Sequence, residues 1–215
     1  MKRFRPPQTL ALRQTPLIIG AEKFARRVHR YDKRIISGNP YIVHPLAVAR
    51  RLQRLRFSEV NIATALLHDC VEDHPLTCSF AEIEDYLLAC GARRDQVKKT
   101  VAQARAVTFD DDCSTKDEKY ERYIDTLGAC PDAIPVALAD IADNTADIIM
   151  NLRLGIPVFG ANFLNSNPRE DIRDWLSVAA LCFARRTRDQ RINLIFNEII
   201  LNAELIKILL PRRNP

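Results

Sequence analysis

The sequence predicts an all-α fold. Apolar residues recur with a helical period along nearly the whole chain, and no run alternates with the period of two that a half-buried strand requires. Helix-start signals precede several of the periodic stretches. At 215 residues one substantial core suffices, and no internal repeat divides the chain.

The elements follow in order. Residues 1–19 read as a basic N-terminal extension, partly disordered, and residues 20–210 as a single domain. Ala21, Phe24, Ala25 and Val28 occupy the i, i+3, i+4, i+7 positions of a first helix, and Val48, Leu52 and Leu55 belong to a second that Pro45 opens. Ile62, Ala63, Leu66 and Leu67 supply the apolar part of a third helix, expected to carry His68, Asp69, Glu72 and Asp73 as well. Ser79 and Glu82 have capping-box spacing ahead of Ile83, Tyr86 and Leu87. Further helices are expected over 94–106, 116–127 and 133–152, the last with Asp132 as its cap and Pro135 in the tolerated first turn. Asn167 before Pro168 marks another start, and two final helices lie near 171–186 and 189–209. Loops fall at 32–41, 74–78, 110–115 and 155–167.

Composition excludes several classes. Hydrophobic residues make up 47% and charged residues 27%, the balance of a soluble globular protein. The opening MKRFRPPQTL has no apolar stretch of signal-peptide length, and no segment reaches the ~18 apolar residues of a membrane span. A cytoplasmic protein with no membrane partner is expected. Cys70, Cys78, Cys90, Cys113, Cys130 and Cys182 are scattered without paired spacing, so they read as reduced thiols rather than disulfides or a structural zinc site. Residues 1–56 hold 14 Lys and Arg against Glu22 and Asp32, so that stretch is +12 and the remainder −7. Such a patch suits a polyanion, either a small phosphorylated molecule or nucleic acid. The plainer alternative makes Arg26, Arg27, Arg30, Arg50, Arg51 and Arg54 solvated helix faces.

Chemistry-bearing residues stand where the pattern is otherwise apolar. His68 and Asp69 follow Leu66 and Leu67, with Glu72 and Asp73 each four residues further on. His44 sits between Ile42-Val43 and Pro45, and Asp140 is centred in the run 136–142 with Asn144 one turn later. Buried carboxylates need a counter-charge, and a cation supplies one. Each residue has a plain alternative: His44 hydrated at a helix start, Asp140 paired with an arginine, a His-Asp pair arising by chance. Taken together, His44, His68, Asp69 and Asp140 are a mixed imidazole and carboxylate set, suited to Mn²⁺, Fe²⁺, Co²⁺ or Zn²⁺ rather than Ca²⁺.

The order of these motifs resembles a known family. Ser37-Gly38-Asn39-Pro40-Tyr41-Ile42-Val43-His44-Pro45-Leu46, Ala65-Leu66-Leu67-His68-Asp69-Cys70-Val71-Glu72-Asp73, Val107-Thr108 and Leu138-Ala139-Asp140 with Asn144 look like successive signatures of the (p)ppGpp hydrolase domain. That domain is shared by RelA/SpoT proteins and the small alarmone hydrolases of the HD superfamily. The resemblance covers residues 20–152, with a helical continuation to 210. It implies an HD-domain helical bundle and metal-dependent removal of the 3′-diphosphate of (p)ppGpp as pyrophosphate. By the same resemblance, His44, His68, Asp69 and Asp140 hold Mn²⁺, and Glu72 and Asp73 orient or activate the attacking water. Arg34, with Lys33 beside it, meets the base, and Asn144 contacts the nucleotide. The implied partner is a small-molecule nucleotide, not nucleic acid, and 215 residues are expected to leave no room for a synthetase domain.

The chain departs from the family at several positions. Lys33-Arg34-Ile35-Ile36-Ser37 is one residue longer than the family's segment, and Ala137, Ile141 and Ala146 stand where basic residues are common. These changes thin the positive charge beside the expected site. His29, on a basic helix, and His74, before Pro75 in a loop, are read as structural or solvent-exposed. Two other functions remain open: an HD-type phosphatase of a nucleotide monophosphate or of the NADPH 2′-phosphate, and a basic binding module without turnover.

Overall fold

Helical propensity and capping account for most of the architecture. The computed structural model describes residues 11–35, 37–109, 115–156, 158, 168–184 and 188–210. Among these residues there are nine α-helices and no strand: α1 (Pro16–Val28), α2 (Val43–Arg54), α3 (Glu59–Leu67), α4 (Phe80–Ala89), α5 (Arg94–Ala106), α6 (Lys116–Ala129), α7 (Ile134–Arg153), α8 (Pro168–Ala184) and α9 (Gln190–Leu209). Starts are set by side-chain oxygens that accept from otherwise free backbone N–H groups. Thr15, Ser58, Ser79, Thr115 and Asp189 cap α1, α3, α4, α6 and α9 in this way. At α4 the capping box is complete, with Glu82 accepting in return from the Ser79 N–H.

α3 is the axis of the fold. Eight of its residues, Val60 to Leu67, are buried, which is the mark of a helix enclosed on all sides. α1, α2, α5 and α7 pack around it, and α9 lies along α7 with α8 beside both. A smaller apolar cluster of Ile148, Ile149, Val158, Ile172, Ala203, Ile206 and Leu210 joins the far end of α7 to α8 and α9. Asn61, Thr64 and Gln103 are polar groups inside the main packing. Asn61 Nδ2 donates to Gln103 Oε1 at 3.1 Å and to the Asp132 carbonyl at 2.7 Å, and Thr64 Oγ1 donates to Gln103 Oε1 at 3.2 Å. This network fastens α3 to α5 and to the turn before α7.

The structure corrects several expectations. α1 begins at Pro16, within the stretch expected to be an extension, because Thr15 caps it and Leu12, Leu17 and Ile18 are buried. Residues 1–10, 110–114 and 159–167, where the rest of the extension and most of two loops were expected, lie outside the described residues. Asp132 does not cap α7: a 3₁₀ turn over Pro131–Ala133 intervenes, and the Ala133 N-cap makes no side-chain bond. Most consequentially, α3 stops at Leu67. His68 to Asp73 form turns rather than a helical continuation, held by Cys70 N–H to the Leu67 carbonyl at 3.1 Å and Asp73 N–H to the Asp69 carbonyl at 2.9 Å.

Asn61→Ala removes the donor shared by Gln103 and the Asp132 carbonyl, and with it two hydrogen bonds. We expect a loss of about 1–3 kcal/mol in urea unfolding, the usual worth of two such bonds. An unchanged midpoint would show that the network does not bind α3 to its neighbours.

Candidate metal centre

The end of α3 determines where the site lies. The last carbonyls of a helix lack intrahelical donors, and the His68 imidazole meets one of them: Nδ1–H donates to the Ala65 carbonyl at 2.9 Å. That bond fixes the tautomer and turns Nε2 inward. His44, in the first turn of α2, is fixed in the same sense by Asp143, whose Oδ2 lies 2.7 Å from its Nδ1. Both imidazoles thus present Nε2 to the space between α2, the end of α3 and α7.

Two carboxylates meet them there. Asp140 Oδ1, from α7, is 3.0 Å from His44 Nε2 and 3.6 Å from His68 Nε2. Asp69 Oδ2 is 3.1 Å from His68 Nε2 and 3.6 Å from His44 Nε2. His44, His68 and Asp140 each offer an atom within 4.8 Å of the others, and Asp69 joins them through its contacts with both imidazoles. The test of whether a cation fits is His68 Nε2. It is buried, close to two carboxylate oxygens, and still without an aligned hydrogen bond. A nitrogen so placed suits a lone pair aimed at a cation, and the imidazole and carboxylate donors suit a divalent metal.

Charge is concentrated at this point. Burial alone would lower the His68 pKa, but Asp69 and Asp140 outweigh it and push the imidazole up to about 10, so without a cation the site holds protons instead. Burial would raise Asp140, and the neighbouring His44 and His68 imidazoles instead carry it well below the usual carboxylate range. Glu72 and Asp73, in the turn after the centre, go the other way. Burial, reinforced by the Asp69 charge, raises Glu72 to about 8 and Asp73 to about 6. Glu72 Oε2 also accepts from the Phe109 N–H at 2.8 Å, so its carboxylate is fixed in position.

A cavity of about 320 Å³ opens over the centre. His44, Asp69, Asp140, Glu72 and Asp73 form its floor, and Phe109, Tyr120, Tyr123 and Trp175 give it an aromatic wall. Arg34 is the one Lys or Arg lining it among the described residues. Its guanidinium donates to Asp147 Oδ2 at 3.0 Å and to Asn144 Oδ1 at 3.1 Å, while Asn144 Nδ2 donates to Asp140 Oδ1 at 2.8 Å. Arg34 and Asn144 thus form a chain leading from the centre into the cavity. Lys33, expected beside Arg34, is exposed and does not line the cavity. It lies in an extended segment bridged to Pro40, where neighbouring side chains point to opposite sides.

Comparison with known proteins agrees with this arrangement. Residues 21–127 match the HD domain family. That segment is an HD domain. Among relatives of the chain, a guanosine-3′,5′-bis(diphosphate) 3′-pyrophosphohydrolase of Vibrio cholerae is 32% identical over 142 residues, covering 66% of the chain and 18% of the relative. An Aquifex aeolicus protein of the same name is 33% identical over 124 residues, covering 58% of the chain and 16% of the relative. The chain therefore spans less than a fifth of the length of these relatives. A solved structure reported as a metazoan ortholog of SpoT that hydrolyzes ppGpp superposes with a TM-score of 0.69 at 22% identity, covering 91% of the chain and 99% of that structure, and shares the fold.

Sequence reasoning passed over three groups at this site. Asp143 and Asp147 complete an i, i+3, i+4, i+7 stripe with Asp140 and Asn144 on the otherwise apolar α7, a periodicity that could have found both. Tyr41 donates its hydroxyl to Asp69 Oδ2 at 2.7 Å. The aromatic wall comes from distant segments and leaves no local signal. Asp143 is itself flanked by Arg51, 3.7 Å away, which also pairs with Glu198 of α9.

Two outcomes follow for the centre. Asp143→Ala frees the His44 ring and should weaken metal binding by about 10- to 100-fold while the helical fold persists, measured by metal titration; unchanged affinity would remove Asp143 from the site. In chelator, Glu72, Asp73 and His68 all have folded pKa values above their ordinary ones, so the folded chain binds more protons than the unfolded. Its melting temperature should therefore fall as pH rises from about 5 towards 9, and Glu72→Gln should flatten the part of the decline near pH 8. Asp140 acts in the opposite sense only at acid pH below its ordinary range, and His29, whose pKa burial lowers, offsets part of the decline below its ordinary value near 6.5. A flat or rising profile would contradict the assigned burial of these groups.

Proposed function

We propose that the chain is a metal-dependent phosphohydrolase that removes the 3′-diphosphate of (p)ppGpp, giving GDP or GTP and pyrophosphate. The observation that carries this reading is the convergence of two tautomer-fixed imidazoles and two carboxylates beneath a cavity with an aromatic wall. The activity for which the Vibrio and Aquifex relatives are named supports the substrate. We assign the activity to one unit over residues 20–210, with Leu12 and the first turn of α1 packed against it. We further propose a cytoplasmic location, in keeping with the scattered, unpaired spacing of the cysteines in the sequence.

His44, His68, Asp69 and Asp140 are the residues to hold the cation, for which we propose Mn²⁺. When bound, a divalent metal supplies Lewis acidity towards a phosphoryl oxygen. The remaining steps belong to the side chains. Glu72, with a pKa near neutrality and its carboxylate held by the Phe109 N–H, takes the proton of the attacking water. Asp73 lies beside it and orients that water. Phe109, Tyr120, Tyr123 and Trp175 offer apolar faces to the base and exclude solvent. Arg34 gives the nucleotide a cationic plane, steadied by Asp147 and Asn144.

A second reading is favoured by one observation. Asp69, Glu72, Asp73, Asp140 and Asp147 line the cavity against the single Arg34, a poor balance for a substrate carrying two diphosphates. A nucleotide with one phosphomonoester, such as the 2′-phosphate of NADPH, would bring less charge to the same centre. Product analysis separates the two. With Mn²⁺ and ppGpp, intact pyrophosphate and GDP are expected, and an alarmone should lead in kcat/KM over NADPH and nucleoside monophosphates. Orthophosphate as first product, or NADPH leading by tenfold, would establish the second reading.

Glu72→Gln should retain bound metal and lose about 10²- to 10⁴-fold in kcat, the range for removed acid–base assistance. An unaltered kcat in the metal-loaded variant would reduce Glu72 to a structural ligand of the Phe109 N–H.

A further inference from the structure

Outside the centre, a second group of imidazole and carboxylate side chains converges. His29 ends α1, Asp32 lies in the turn that follows, and His74 stands just beyond the His68 to Asp73 turns. One ligand atom from each lies within 4.8 Å of the others. His29 Nδ1 is 2.8 Å and His74 Nε2 2.7 Å from the same oxygen, Asp32 Oδ2. We propose that His29, Asp32 and His74 form a second divalent-cation site, sharing no ligand with the centre at His44, His68, Asp69 and Asp140.

The surroundings are built for it. The His29 side chain is fully buried, whereas those of Asp32 and His74 are 30% and 26% exposed, so an inner anchor is combined with a path from solvent. Burial holds the His29 pKa below its ordinary value against the pull of Asp32, so the imidazole is neutral and able to act as a ligand near pH 7. Its other nitrogen, Nε2, lies 3.7 Å from Cys70 Sγ, which orients Nδ1 towards the cluster. The Asp32 backbone is pinned on both sides: its N–H donates to the His29 carbonyl at 3.2 Å, and its carbonyl accepts from the Tyr41 N–H at 2.9 Å.

Without a cation, one carboxylate oxygen accepts from two imidazole N–H groups at hydrogen-bond separations. Ligand atoms placed ~2.0–2.2 Å from a metal stand roughly 3.3 Å apart, so entry of a cation moves Asp32 and His74 outwards by about half an ångström. Both sit in turns and are partly exposed, which lets them move while His29 stays. Two imidazoles and a carboxylate favour Zn²⁺ or Co²⁺ over Mg²⁺ or Ca²⁺, and three protein ligands leave room for exchangeable water. The His29 ring packs on Tyr41 with centroids 4.7 Å apart, and the Tyr41 hydroxyl donates to Asp69, so a cation here stiffens the loop that carries Arg34. None of this depends on the phosphohydrolase reading.

The test is a metal count on the full chain, stripped with chelator and titrated with Co²⁺, followed by visible absorption and elemental analysis. Two Co²⁺ per chain are expected for the natural sequence. His74→Ala and Asp32→Asn should each retain one, Asp69→Ala should retain one, and Asp69→Ala combined with His74→Ala should retain none. Helical circular dichroism checks that each variant is folded. A single Co²⁺ in the natural sequence, or two in folded His74→Ala, overturns the second site and leaves a hydrogen-bonded triad. If the chain turns over no nucleotide, the count is unaffected, so the two readings fail separately.

Discussion

The inward-facing Nε2 of His68 is the constraint from which the functional architecture follows. It is buried and lacks an aligned hydrogen bond, while the ring's other nitrogen is committed to the Ala65 carbonyl at the end of α3. A desolvated polar atom costs free energy unless something meets it, and here the atoms nearby are carboxylate oxygens from two different segments. α3 must end where it does for the ring to turn inward, and α2 must start at the proline-containing turn that places His44 opposite. α7 must cross both with its polar stripe facing them. The fold is arranged around a hole in its own electrostatics that a divalent cation would fill.

The same logic explains why the pocket is so acidic. Asp69 and Asp140 are the carboxylates we propose as ligands, and burial together with the Asp69 charge raises the pKa of Glu72 and Asp73 next to them. Groups whose ordinary pKa is far from neutrality are thereby brought close to it, which suits proton transfer. Asp147 adds a further carboxylate, but it holds Arg34 in place against the cavity. Ala137, Ile141 and Ala146 bring no positive charge there, and among the described residues the basic side chain lining the cavity is this fixed Arg34.

Much of this was legible in the sequence, for identifiable reasons. Helices α5, α6, α7 and α9, and the start of α4, were placed within a residue or two because caps and 3.6-residue periodicity are local signals. His44, His68, Asp69 and Asp140 stood out because each is a polar residue in an apolar context, and the structure brings all four together. What escaped were features that depend on tertiary context. The end of α3 at Leu67 is set by the His68 side chain capping its own helix and not by a breaker residue. Lys33 is turned away by an extended bridge that periodicity does not reveal. His29 and His74, set aside as structural or exposed, meet only because Asp32 lies between them in space.

The account rests on a cation at the four converging side chains. Its most direct test is an anomalous-difference map from a crystal of the full chain grown with Mn²⁺ and recorded near the manganese edge. The account predicts a peak roughly 2.0–2.3 Å from His44 Nε2, His68 Nε2, one oxygen of Asp69 and one of Asp140, in the range of metal–ligand distances. A map without a peak among these four, or with His68 Nε2 turned to another partner, would contradict it.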